Sequence, residues 1–421
     1  MRSRSAMAAL AVGVTLALAA CGSSDTTGNT TGKSTPAPAT AGPKGSPVKL
    51  MSIVPLTTPT TNFPEQAGAA KAAVRALNKR GGINGHLVQI DVCDSKNDQA
   101  AGEACARKAV NGKYLAVVSA FSTAGGINAI LEKGGIPSIG SSGVAGDGSD
   151  LTSKISFVYQ PASTYSEAAC PQLLKDSAKI SKLGVVNYDI AAASRLGVLA
   201  GLGGKAAGVG TQEIKVAPTT SDYAPIVARV TDAGAQGVTT GLAEPSAISL
   251  IQAGGDKLSY CNAAGTISDA NLVKLGPAAK NFYAVGAFPL FNQSAKYPEL
   301  TRLQSELDAD FAAGDKDAAK KLRHVTSTIG GWLAVQIVEQ VGKKVTGDLT
   351  AKSLLAQLTK TKGLNVQLVP PLDFTKTNAV PGLTRLFNNT LLGQRWDPAK
   401  KTFYATGKTY DGQKILAAGA K

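Results

Sequence analysis

From Val48 onward the chain alternates short β-rich runs with longer helical patterns, and it does so in two successive series. Such alternation is the signature of βαβ units feeding a mainly parallel sheet, so an α/β class is expected. VKLMSIVPL (48–56) reads as a strand. In the helix that follows, Ala67, Ala70, Val74 and Leu77 share one face while Lys71, Arg75 and Lys79 share another. Gly81-Gly82 stops that helix, and LVQIDVCD returns as a strand. The unit repeats as a helix around Gln99 to Asn111, strand YLAVVSAF (114–121), a helix around Gly125 to Lys133 and strand IPSIG (136–140). After FVYQPASTY (157–165), the second series offers strands LGVVNYD (183–189), QEIKVAP (212–218), QGVTTGL (236–242), KLSYCNAAG (257–265) and FYAVGAF (282–288). Helices are expected over 298–313, 328–343 and 350–360, and RLFNNTLLGQRWD and TFYATGKTYDG predict closing antiparallel strands. Two series imply two similar lobes.

The N-terminus decides where such a chain works. Arg2 and Arg4, the apolar run Ala6 to Ala20 and the small residues before Cys21 read as an export signal over residues 1–20, since the run is too short to span a bilayer. Leu18-Ala19-Ala20-Cys21 resembles a bacterial lipobox, which would place diacylglycerol on the Cys21 thiol. Residues 21–47 then hold mostly Gly, Ser, Thr and Pro and predict a flexible linker. The expected location is the outer face of the cell membrane, with attachment through this lipid only, because no later apolar run reaches spanning length.

Composition removes other classes. Only 17% of residues are charged and 43% are hydrophobic, which excludes wholesale disorder and a long coiled coil. The formal net charge of +15 is compatible with anionic lipid or wall polymer, but dispersed lysines such as Lys316, Lys320 and Lys321 beside Arg323 are read as a solvated face. Nucleic acid is not expected as a partner of an exported chain that lacks an arginine-rich or aromatic-interleaved patch. Five cysteines and two histidines leave little room for a metal site or a histidine triad. With Cys21 set aside, Cys93, Cys105, Cys170 and Cys261 form an even set in an oxidising compartment. Three pairings are possible. Cys93 with Cys105 is favoured because one ends a strand and the other begins the following helix, which leaves Cys170 with Cys261.

In open α/β sheets, ligands bind outside the carboxyl ends of the strands. Two hydroxyl-rich, glycine-rich loops stand there in the first series: Ser119-Ala120-Phe121-Ser122-Thr123-Ala124-Gly125-Gly126 and Gly140-Ser141-Ser142-Gly143. Such loops let a ligand carboxylate approach backbone N–H groups while accepting side-chain hydrogen bonds, although caps and turns use the same residues.

The stretch FPEQAGAAKAAVRALNKRGGINGHLVQIDVCD, a Gln-Ala helix containing Cys105, the serine loop at 119–126 and IPSIGSS together resemble the leucine/isoleucine/valine-binding family of extracellular solute receptors. GGINGH (Gly81 to His86) is the most specific piece, and DYAPIVARVTDAGAQGVTTGL (222–242) extends the resemblance into the second series. The resemblance implies the type I periplasmic-binding fold, two Rossmann-like lobes joined by a three-crossover hinge. Residues 48–161 with about 287–370 would form lobe 1, and 162–286 with about 371–421 lobe 2. It also implies a monomeric receptor without cofactor or metal, which delivers an amino acid or related small polar ligand to an ABC permease. By that likeness, Ala120, Ser122 and Thr123 with Gly140, Ser141 and Ser142 would hold the ligand's α-carboxylate, and Phe63 would pack on it. The second lobe departs from the family pattern. Ile190-Ala191-Ala192-Ala193 stands where an aromatic is usual, and no acid occupies Gly265-Thr266. Asp189, Glu244 and Asp269 are the acids placed to meet a cationic group, and each is equally at home as a cap or an exposed charge.

Other motifs are set aside. Gly201-Leu202-Gly203-Gly204-Lys205-Ala206 lies inside a helical stretch, and Gly407-Lys408-Thr409 lacks the first glycine of a phosphate loop, since Thr402 stands there. His86 is placed in the GGINGH turn, His324 on a charged helix, and Trp332 in the core. With no HExxH or G-x-S-x-G, no enzyme is expected. A ligand sensor of the same fold coupled to a signalling partner, and a basic wall-binding structural lipoprotein, are the alternatives to transport.

Overall fold

The computed structural model describes residues 45–58 and 62–421. The expected signal peptide and the expected lipid site at Cys21 lie outside them. Strand β1 (Gly45–Val54) begins within the stretch expected to be linker.

The first sheet comes from β1, β2 (His86–Asp94), β3 (Ala116–Val118), β4 (Ser138–Ile139) and β5 (Ser156–Phe157), in the order β2-β1-β3-β4-β5, with every pair parallel. Helices α1 (Pro64–Lys79), α2 (Gln99–Asn111), α3 (Ile127–Gly134) and the single turn α4 (Ser149–Thr152) connect them. Strands β3 and β4 are shorter than the expected 114–121 and 136–140. The chain leaves the sheet at Ser119 and Gly140, whose φ angles of 59° and 76° end extended pairing.

The second sheet follows helix α5 (Ala162–Ala178). It contains β6 (Lys182–Tyr188), β7 (Gly210–Val216), β8 (Gly237–Gly241), β9 (Ser259–Ala263) and β10 (Phe282–Gly286), with α6 (Ala191–Ala207), α7 (Ala224–Asp232), α8 (Glu244–Gly254) and α9 (Asp269–Leu275) between them. Helices α10 (Pro298–Ala312), α11 (Val325–Gly342) and α12 (Ala351–Leu358) come next, then β11 (Thr390–Asp397), β12 (Thr402–Asp411) and a closing helix α13 (Gly412–Gly419), for which the sequence offered no expectation. The order is β12-β11-β10-β9-β8-β6-β7, and β11 and β12 are antiparallel as anticipated.

Helix α11 has an unbroken buried run from Ser327 to Glu339, which makes it the central helix of the first lobe. It crosses α1 closely, and a Cβ at Gly331 would collide with the carbonyl of Gln66. Ala67, Ala70, Val74 and Leu77 of α1 are buried as their spacing requires. Its polar face is not merely solvated, because Lys71 pairs with Asp315 and Asp317 at 2.8 Å each. Trp332 is core, and its Nε1 donates to Glu306 at 2.6 Å. His324 is not within a helix as expected; it caps α11 with extended backbone and is exposed.

The chain passes between lobes near Val158 to Pro161, between Gly286 and Pro298, and at Asn388 to Asn389. Phe374 and Phe387 pack on Phe157 of the first sheet at 5.1 and 5.9 Å, Val158 bridges Leu386, and Arg385 lies 4.7 Å from both the Phe157 and Phe387 rings. This aromatic cluster holds the segment before Asn388 on the first lobe. The disulfides are Cys93–Cys105, joining β2 to α2, and Cys170–Cys261, joining α5 to β9.

Candidate ligand-binding cleft

Both sheets present their carboxyl-end loops to one another. Thr326 Oγ1, at the start of α11 on the first lobe, donates to Ala264 O just beyond β9, at 3.4 Å. His324 interacts electrostatically with Glu65 of α1 and, across the cleft, with Glu244 and Asp269.

On the first lobe the loops are tied together by buried bonds. Ser119 N donates to Ile139 O at 2.8 Å, Gln66 Nε2 to Ser119 O at 2.9 Å, and Ser142 N to Ala120 O at 3.1 Å. Ser122 Oγ accepts from Ala124 N, and Thr123 donates through both N and Oγ1 to Asn97 Oδ1 at 2.8 and 3.0 Å. Gly140 accepts from Gln160 Nε2 at 3.0 Å, and a side chain there would strike the Tyr159 hydroxyl. Ala120, Ser122 and Ser141 line one small cavity with Asn128 and Asp150, the size of about one water molecule. Burial pushes the Asp150 carboxyl up.

Phe63 is half-buried before α1, with its ring centroid 4.6 Å from that of Phe121. Phe121 was missed as a site residue because it reads equally well as the last residue of a strand. Gln66, Asn97 and Gln160 were missed for a different reason. They reach the loops from other elements, and no local pattern marks them. Leu56 and Thr57, directly after β1, are anchored on Asp94. Burial pushes that carboxyl up, but hydrogen bonds from Thr57, Leu56 N and Lys96 N outweigh it and hold the pKa low.

The three acids of the second lobe differ. Asp189 is exposed and lies 3.8 Å from Lys215. Glu244 accepts from Ser268 N at 2.7 Å and from Asn271 Nδ2 at 2.9 Å, tying α8 to the start of α9; these bonds overcome the desolvation of the carboxyl and lower its pKa. Asp269 is solvent-accessible, yet the protein around its carboxyl raises its pKa, with His324 opposing the shift. Among the described residues no group of three His, Cys, Asp or Glu is placed to hold a metal ion, and no helix is long and apolar enough to cross a membrane. Hydrogen bonding and closure are what this arrangement offers.

Two α/β lobes with hydroxyl-rich loops at facing carboxyl ends define a two-lobed ligand-binding protein. A family model described as periplasmic binding protein matches residues 47–384, and the chain belongs to that family, whose members bind ligands and are not enzymes. The fold matches that of a fatty acid ABC transporter substrate-binding protein from Thermomonospora curvata (TM-score 0.71, 18% identity, 89% of this chain and 95% of that one). It also matches a branched-chain amino acid ABC transporter protein from Thermus thermophilus with bound valine (TM-score 0.68, 17% identity, 88% and 98%). A third match is an R. palustris solute-binding protein in complex with 4-hydroxybenzoate (TM-score 0.66, 15% identity, 88% and 98%). At these identities the likeness establishes the type I periplasmic-binding fold. No curated protein sequence matches the chain.

Proposed function

We propose that the protein is the extracellular receptor of an ABC importer, anchored through Cys21 and binding an amino acid or a related small carboxylate between its lobes. The observation that carries this reading is the pair of first-lobe loops. Left-handed backbone at Ser119, Gly125, Gly126, Gly140 and Gly143 takes the chain out of the sheet and gathers the hydroxyl residues Ser122, Thr123, Ser141 and Ser142 on the two loops. A carboxylate is the small group that such a set of donors recognises. Phe63 with Phe121 would cover the ligand from the β1 side. Closure follows because a ligand bridging both lobes gains contacts that the open form lacks.

A second reading is an aliphatic or aromatic acid without an ammonium group. It is favoured by the engagement of Glu244 with Ser268 and Asn271 and of Asp189 with Lys215, which leaves Asp269 as the acid facing the cleft. Thermal-shift titration separates the two. Amino acids, fatty acids and hydroxybenzoates are screened, and saturable stabilisation that grows with ligand concentration names the class. No stabilisation by any small acid would remove the receptor reading.

A further inference from the structure

We infer that the first lobe carries, at the pole opposite its ligand loops, a docking face for anionic phospholipid headgroups. A groove of about 710 Å³ lies at the amino ends of β1, β3 and β4. Its floor is apolar, with Val48, Val110, Leu115, Ile136 and Leu355, and its rim carries Lys49, Lys113, Lys133 and Lys352. Some lysines elsewhere on this lobe have acidic partners, as Lys71 and Lys343 do. None of the four rim lysines belongs to an ion pair among the described residues. Lys49 instead lies 4.8 Å over the Tyr114 ring. The one acid in the lining, Glu132, accepts from Ser153, and nearby Asp91 is engaged by Tyr114 and Lys108. The groove therefore sets four lysines without ion pairs of their own against one carboxylate, around apolar surface.

Two observations select a membrane surface as the occupant. Ser46 and Pro47 form part of the lining, so the chain enters the folded body at this groove, and only 23 residues separate Gly45 from Cys21. A Gly/Ser-rich chain of that length has a reach of about 25 Å, which would keep this pole near the bilayer if Cys21 is lipidated. The apolar floor also suits the glycerol and first acyl carbons beneath a phosphate, whereas a hydrophilic wall polymer has nothing to place there. Lysines at such a distance are attracted to anionic lipid and lose that attraction in salt. Docking at this pole would leave the ligand cleft facing away from the lipid.

The inference rests on the anchored-receptor reading for the tether and the orientation, so the intrinsic affinity of the face is tested on the full chain carrying Cys21→Ser. Sedimentation with phosphatidylglycerol/phosphatidylcholine vesicles is compared with phosphatidylcholine alone, at low salt and at about 0.5 M salt. Salt-sensitive binding to the anionic vesicles is expected. Replacing Lys49, Lys113, Lys133 and Lys352 by Gln should weaken it by at least about tenfold. A control with Lys205, Lys257, Lys274 and Lys280 replaced by Gln has the same net charge and should bind nearly as the parent does. An unchanged circular dichroism spectrum and melting temperature without any ligand certify the fold of each variant and keep failure of this proposal distinct from failure of the receptor reading. Equal loss in both variants, no preference for anionic vesicles, or tighter binding to soluble wall polymer than to vesicles would overturn it.

Discussion

Gln66 Nε2 donates to the carbonyl of Ser119 at 2.9 Å, joining the first turn of α1 to a residue held at φ 59° directly after β3. Left-handed backbone in a non-glycine residue is costly and persists only where its surroundings enforce it. The bond is buried, so its loss leaves a carbonyl unsatisfied. Gln66→Leu should lower stability by about 1–3 kcal/mol and weaken ligand binding, whereas Ser119→Gly, which adopts this conformation freely, should keep stability. Urea unfolding of both variants with calorimetric titration of the ligand checks this; equal affinity in Gln66→Leu and the parent would show that the bond does not position the loop.

Two glycines of α6 should respond oppositely to alanine. A Cβ at Gly203 would collide with the backbone of Ala168 on α5, while at Gly201 it would meet nothing within 4 Å. Gly201→Ala is expected to stabilise by about 0.5–1 kcal/mol through helix propensity, and Gly203→Ala to destabilise by about 1–3 kcal/mol through forced separation of the helices. Thermal unfolding of the pair decides it, and a shift of the same sign in both would contradict the packing described.

The disulfides differ in what they constrain. Cys170–Cys261 closes 91 residues and both cysteines are fully buried, whereas Cys93–Cys105 closes 12. Chain-entropy reasoning assigns about 4–5 kcal/mol to the first and about 3 kcal/mol to the second. Replacing each pair by alanines and comparing urea midpoints should give the larger loss for Cys170 and Cys261.

Glu167 of α5 sits in the second-lobe core, bonded to Thr239 of β8, and burial pushes its carboxyl up to about 7. A carboxyl whose folded pKa lies above its unfolded value favours the folded state at low pH, and that contribution fades as pH rises from about 4.5 to 7. Stability should therefore decline across this window by on the order of 3 kcal/mol. Glu167→Gln should flatten the dependence and be the more stable protein above pH 7. Parallel pH profiles of the melting temperature for parent and variant would remove Glu167 as the cause.

Much of the fold was legible because periodicity is a local property. The expected helix at Gln99–Asn111 is the observed one, and strands LGVVNYD, QEIKVAP and FYAVGAF lie within two residues of β6, β7 and β10 at each end. The short strands β3 and β4 were overextended because Phe121 and Gly140 look like strand ends, while positive φ at Ser119 and Gly140 takes the chain out of the sheet. Pro370-Pro371 signals a break, but the packing of Phe374 and Phe387 on Phe157 is a long-range contact without local signature.

By itself, then, the sequence determined the α/β class, the two series of units and the hydroxyl-rich loops, and favoured the short Cys93–Cys105 link, since each depends on neighbours along the chain. The tertiary structure decided which polar groups are already engaged. Glu244, Asp189 and Lys71 look alike as surface charges in the sequence, yet each has its own partner from a distant or facing element. Four other lysines, far apart in the chain, meet around one groove without any acidic partner. Charge is written residue by residue, but its compensation depends on distance in space, and only the packed chain sets that distance.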